Sequence, residues 1–104
     1  MSINNWEIDH SWTLFLDRDG VINKRKFGGY ITSVDEFEFL TGAKEAIVDF
    51  SNHFDFLFVV TNQQGIAKGL MSERNLLDIH NYMTEQVVAE GGGITKCFYA
   101  SNNK

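Results

Sequence analysis

Thr13-Leu14-Phe15-Leu16-Asp17-Arg18-Asp19-Gly20-Val21 decides how this chain is read. An apolar run stops at two aspartates two residues apart, and a glycine follows at once. Read as a buried strand, the run projects the Asp17 and Asp19 carboxylates to one side just past its end, because side chains alternate with period 2. Gly20 permits a sharp turn there, since it has no Cβ to forbid positive φ. Two acids converging at the carboxyl end of a buried strand suit a divalent cation and a phosphoryl group. Asp and Gly after a strand are also ordinary turn and capping residues, so the pair needs a second site to give it meaning.

That second site lies downstream. Leu57-Phe58-Val59-Val60 is another unbroken apolar run, and it ends in Thr61-Asn62-Gln63-Gln64-Gly65. A hydroxyl, an amide and a glycine-loosened turn supply hydrogen-bond donors for a phosphate oxygen. Two strand ends carrying complementary chemistry in one short chain point to phosphate chemistry.

Around these two stretches the pattern alternates strand and helix. A first strand is expected over 12–17, followed by a long irregular stretch from 18 to about 40. Loops longer than ~12–15 residues are usually functional or disordered, and this one starts at the paired acids. Within it, Glu36-Phe37-Glu38-Phe39 alternates like a short half-buried strand. A helix is expected over 42–52 with Thr41 as N-cap, its apolar stripe formed by Ala43, Ala46, Ile47 and Phe50. The second strand covers 55 or 56 to 61. A longer helix should begin after Ser72 and run to about 90, with Leu76, Ile79, Met83 and Val87 on one face. Gly91-Gly92-Gly93 stops it, and a third strand follows over 96–100. Fully apolar strands separated by helices imply an α/β fold, a Rossmann-like parallel sheet with helices on both faces. The chain reads as one domain over 1–104, cut short after the third strand.

Bulk properties narrow the function classes. At 104 residues the chain buries about two-thirds of its unfolded surface, enough for a core of modest stability. The net charge of −5 argues against a nucleic-acid partner, which demands basic patches. The one cysteine, Cys97, excludes an internal disulfide. The first residues do not read as a signal peptide, and no apolar run approaches the ~20 residues of a membrane span. A cytoplasmic protein without a membrane partner fits best. His10, His53 and His80 share no metal-like spacing and read as ordinary surface or core residues. Arg18, Lys24, Arg25 and Lys26 put four of the nine basic residues near the first motif, as a steering patch for an anion or as a solvated loop.

Leu16-Asp17-Arg18-Asp19-Gly20-Val21-Ile22-Asn23 and Val60-Thr61-Asn62-Gln63-Gln64-Gly65-Ile66-Ala67-Lys68-Gly69 resemble the first two motifs of the haloacid dehalogenase-like phosphatases. The nearer resemblance is to the branch that holds the D-glycero-D-manno-heptose 1,7-bisphosphate phosphatases and the histidinol-phosphate phosphatase domain. Gly29-Tyr30-Ile31 and Phe37-Glu38-Phe39-Leu40-Thr41-Gly42-Ala43 follow the same branch, with Thr41 where a proline usually stands. The resemblance runs from about Trp12 to Tyr99.

It implies a Mg²⁺-dependent phosphomonoesterase acting on a small phosphorylated metabolite, a heptose bisphosphate or histidinol phosphate. It also implies roles. Asp17 would be the nucleophile that forms an aspartyl-phosphate, and Asp19 the general acid and then base. Both would bind the metal, Asp19 through its carbonyl. Thr61 and the Asn62 N–H would hold phosphoryl oxygens, with Arg18 and Gln63 as further substrate-binding residues. An acid working at pH 7 needs a raised pKa, which burial of Asp19 beside Asp17 is expected to supply. The DNA-repair phosphatases share similar motifs, but the acidic balance disfavours them.

Two departures qualify the resemblance. The family's third-motif Lys or Arg and fourth-motif acid fall beyond Lys104, so the chain corresponds to an amino-terminal half and is expected to be impaired in turnover alone. The zinc loop of many members has its counterpart at Ala100, Ser101 and Asn102, so zinc is not expected. Without the fourth-motif strand, Leu14-Phe15-Leu16 would form an apolar edge open to self-association.

Overall fold

The computed structural model describes residues 12–26 and 29–100. The leading segment 1–11, and Ser101 and Asn102 of the zinc comparison, lie outside them. The element order is strand β1 (Thr13–Asp17), a 3-10 turn (Val34–Glu36), helix α1 (Ala43–Ser51), strand β2 (Phe56–Asn62), short helix α2 (Gln64–Ala67), helix α3 (Glu73–Ala89) and strand β3 (Lys96–Ala100). The strands form one sheet in the order β1-β2-β3, all parallel. Leu16 pairs with Val59 and Asp17 with Val60, while Thr61 faces Tyr99 and Asn62 faces Ala100. The first and second motifs therefore meet at the same carboxyl edge, where ligands of open parallel sheets bind.

Local chemistry accounts for the helix ends. Ser72 accepts from the Asn75 N–H at 3.1 Å while the Asn75 side chain accepts from the Ser72 N–H at 2.8 Å, a reciprocal cap that satisfies two orphan donors of α3. At the far end Gly91 takes φ +91°, and a Cβ on Gly92 would stand 2.9 Å from the Val48 Cα. The glycines thus both stop α3 and let it lie against α1. Helix α1 does not use the expected Thr41 cap: Gly42 occupies the N-cap position in the left-handed region, with no side-chain hydrogen bond. The half-buried strand expected at 36–39 is absent too. A 3-10 turn ends at Glu36 and only a single antiparallel bridge, Asn23 to Phe39, survives. Phe37 is buried as the alternation requires, but the pairing is limited to the two backbone hydrogen bonds that flank this bridge, Lys24 N–H to Glu38 and Leu40 N–H to Ile22.

Both long helices pack on one face of the sheet. Ile47 and Phe50 of α1 and Leu76, Ile79, Met83 and Val87 of α3 share one core with Leu57 and Val59 of β2. Each crossover advances one strand in the same direction, and right-handed connections then place both helices on the same side. The expected cover on both faces is thus realised on one among the described residues. On the other face Phe15 is 62% exposed, Phe56 48% and Phe98 41%. Phe58 sits between Phe15 and Phe98, with ring centroids 5.3 and 5.4 Å away. No helix among the described residues is long and apolar enough to cross a membrane.

Candidate active site

The Asp17–Gly20 turn is built from backbone. Gly20 takes φ +79°, and the Arg18 carbonyl accepts from the N–H groups of Val21, Ile22 and Asn23 at 3.2, 2.8 and 3.2 Å. This turn holds Asp17 and Asp19 on the wall of a cavity of about 600 Å³, which Arg25, Tyr30, Thr61 and Asn62 also line. The two acids and the two donors expected from the sequence are thereby brought together.

Alternation assigns the residue between the acids to the opposite side. Leu14 and Leu16 pack against the core, and Arg18 continues their parity with no exposed surface. Its guanidinium donates to the Asp19 Oδ1 at 2.9 Å and approaches the His80 Nε2 at 3.2 Å. Arg18 also borders the cavity, with its guanidinium engaged by Asp19 and His80. Lys24 pairs with Glu38 at 2.7 Å and Lys26 with Glu36, while Arg25 and Lys26 both line the cavity wall.

Asp19 is held by three side chains. Besides Arg18, Asn23 Nδ2 donates to its Oδ1 at 3.1 Å and Gln63 Nε2 to its Oδ2 at 3.2 Å. Burial is the strongest single influence and pushes the carboxyl upward. The Arg18 charge and the hydrogen bonds from Arg18, Asn23 and Gln63 together outweigh it, so Asp19 sits below the usual carboxylate range. The expectation of a raised pKa is corrected: the turn supplies a buried cation that sequence reasoning had placed at the surface.

The second motif divides its labour in a similar way. Gln63 is 1% exposed; its Nε2 also donates to the Thr61 hydroxyl at 2.6 Å, and its N–H donates to the Ala100 carbonyl at 2.7 Å. It ties the two motifs together and presents no surface for substrate. A Thr61 hydroxyl that accepts from Gln63 still has a proton to donate. Asn62 is exposed at the cavity wall. Sequence reasoning missed Asn23, His80 and Tyr30. The signal for His80 was its place beside Ile79 on the apolar stripe, a position where an imidazole needs a polar partner.

The donor set bears on a metal. Asp17 and Asp19 offer hard oxygen ligands on one wall, although no cluster of three or more His, Cys, Asp or Glu side chains occurs among the described residues. Mg²⁺ commonly keeps several waters and takes only one or two carboxylates together with substrate phosphate. The pair therefore fits that ion.

Sheet, cavity and paired acids define an α/β protein with two carboxylates and two hydrogen-bonding groups gathered at the carboxyl edge of its sheet. Comparison with known proteins narrows the class. No family model matches the chain. A D-glycero-alpha-D-manno-heptose-1,7-bisphosphate 7-phosphatase of Mycobacterium tuberculosis is 43% identical over 82 residues, which are 79% of this chain and 43% of the relative. The D-glycero-D-manno-heptose-1,7-bisphosphate 7-phosphatase of Chlorobaculum tepidum is 36% identical over 86 residues, 83% of this chain and 43% of that protein. Among solved structures, the D,D-heptose 1,7-bisphosphate phosphatase from B. bronchiseptica, complexed with magnesium and phosphate, superimposes with a TM-score of 0.81 at 30% identity. It is matched over 88% of this chain and 50% of its own. In sequence and in fold the chain is similar to haloacid dehalogenase-like phosphatases, and among them to the heptose bisphosphate phosphatases. It spans about half the length of these relatives.

Proposed function

We propose that the chain carries the nucleophile and phosphate cradle of a Mg²⁺-dependent phosphomonoesterase whose substrate is D-glycero-D-manno-heptose 1,7-bisphosphate. The supporting observation is the convergence of Asp17, Asp19, Thr61 and Asn62 on one cavity from two adjacent parallel strands. Asp17 attacks phosphorus; its P–O bond forms as the ester P–O bond breaks, leaving an aspartyl-phosphate. Asp19 gives the departing alkoxide its proton, then takes one from the water that hydrolyses the intermediate. Asp19 is held ionised by Arg18, and an approaching phosphate, a like charge, raises its affinity for the proton it must donate. The Thr61 hydroxyl and the Asn62 N–H donate to the phosphoryl oxygens. Asp17 and Asp19 would hold a Mg²⁺ ion, which would offset the repulsion between carboxylate and phosphate and stabilise transition-state charge.

Phosphate release from the heptose bisphosphate, with Mg²⁺ and with EDTA, tests this reading. Metal-dependent release that Asp17→Asn abolishes is the expected result. Equal release from histidinol phosphate would overturn the substrate assignment. Release that persists in Asp17→Asn would overturn the nucleophile. The relatives are about twice as long, and a chain that binds phosphate without turnover would retain the cradle alone.

Self-association is part of the same reading. The outer edge of β1 carries no strand among the described residues, and Phe15 beside it is 62% exposed. A second copy that pairs along this edge would extend the sheet and shield Phe15 from the side. A monomeric mass by light scattering at high concentration would overturn it.

A further inference from the structure

The buried pair beneath the site does more than fill space. Arg18 is fully buried and His80 is 6% exposed, and they lie 62 positions apart in sequence. The Nη2 end of the guanidinium is committed to Asp19 at 2.9 Å and the Nη1 end meets His80 at 3.2 Å. Nε has no hydrogen-bond partner among the described residues. Position 80 lies on the apolar face of α3, next to Ile79 and one turn after Leu76. A leucine would pack there as readily, but it would strip the Nη1 donors of their acceptor, and a buried donor left unpaired costs about 1–3 kcal/mol.

The type of acceptor matters as much as its presence. A guanidinium stays charged in any protein environment, so the Nε2 that receives its hydrogen bond must be the unprotonated nitrogen of a neutral ring. Burial and the Arg18 charge both favour that neutral form, holding the imidazole pKa down to about 4. A carboxylate at position 80 would pair with Arg18 and draw its charge away from the site. A neutral acceptor fixes the guanidinium while leaving its whole positive charge to Asp19. Asp19 is then clamped on both oxygens, Oδ1 by Arg18 and Asn23 and Oδ2 by Gln63.

We propose that His80 is a positioning residue: as a neutral hydrogen-bond acceptor it locks Arg18, and through Arg18 it sets the orientation of the Asp19 carboxylate. The catalytic consequence rests on the phosphatase reading above, whereas the orientation of Asp19 does not. Two readouts separate them.

Nitrogen-15 spectra of the wild-type chain, labelled at histidine, read the contact directly. An unprotonated Nε2 with a protonated Nδ1 at His80 is expected, and the opposite tautomer overturns the proposal without any variant. His80→Gln keeps an acceptor near the Nε2 position and His80→Leu removes it. The Asp19 carboxyl carbon-13 resonance should move in His80→Leu and hold its wild-type position in His80→Gln; a resonance unmoved in His80→Leu overturns the proposal. In phosphate release, His80→Leu should lower kcat on the order of 10-fold with KM little changed, as misplacement of a catalytic group does, and His80→Gln should restore it. Wild-type kcat in His80→Leu overturns the positioning role. Where the wild-type chain binds phosphate but releases none from the heptose bisphosphate, the two resonances decide the positioning of Asp19 by themselves, and a chain that binds no phosphate counts against the phosphatase reading alone.

Discussion

The two faces of the sheet are made from the same three strands and meet opposite surroundings. On the helix side Leu57 and Val59 are 1% and 0% exposed, while on the other side Phe15, Phe56 and Phe98 are 62%, 48% and 41% exposed. Strands that are apolar on both faces belong to sheets covered on both sides. The chain thus has the strand composition of a three-layer protein and, among its described residues, two layers. Its stability rests on the helix side, and the aromatic side is solvent-exposed surface.

Substitutions that treat the faces unequally sharpen or break this contrast. Leu57→Ala, on the covered face, should cost about 3 kcal/mol, the range for truncating a buried leucine, as a lowered denaturation midpoint in urea. A cost below about 1 kcal/mol would mean that the core is loosely packed. His80 gives an effect of similar size that depends on pH. Its folded-state pKa is depressed to about 4 from 6.5, so between these values the unfolded chain binds more protons than the folded one. Stability is complete above pH 6.5 and falls as pH drops toward 4, by on the order of 3 kcal/mol in total. His80→Gln should flatten that part of the stability–pH curve, and an unchanged slope would reassign it to other groups.

Ser72→Ala, which removes one half of the α3 cap, should cost about 1 kcal/mol in the same urea titration. On the open face, Phe15→Lys should change stability in dilute solution by no more than about 0.5 kcal/mol, while reducing the light-scattering mass to that of one chain. A large loss of stability from Phe15→Lys in dilute solution would show that this face is already covered.

How far the sequence could be read follows from the range of each interaction. The strand ends, the Ser72 cap and the glycine stop of α3 depend on neighbours within a few positions, and they emerged close to where the pattern set them. The 36–39 strand failed because pairing needs a second strand, which alternation alone does not supply. Thr41 failed as a cap because Gly42 in the left-handed region took over the start of α1. The site divides along the same line: Asp17 and Asp19 share a side by period-2 geometry. The burial of Arg18 was not expected although the same alternation pointed it inward, because a charged side chain is rarely fully buried unless it is paired.

The sequence by itself determined an α/β chain with two polar strand ends, a motif pair resembling that of a phosphatase, and an acid pair on one side of a turn. These follow from backbone periodicity and from residues adjacent in the chain. Only the tertiary structure decided that both helices share one face, that Gln63 links the two motifs, and that Arg18 reaches His80 and holds Asp19 ionised. Those outcomes depend on crossover direction and on contacts between residues as many as 62 positions apart, where only the packed fold brings donors and acceptors together.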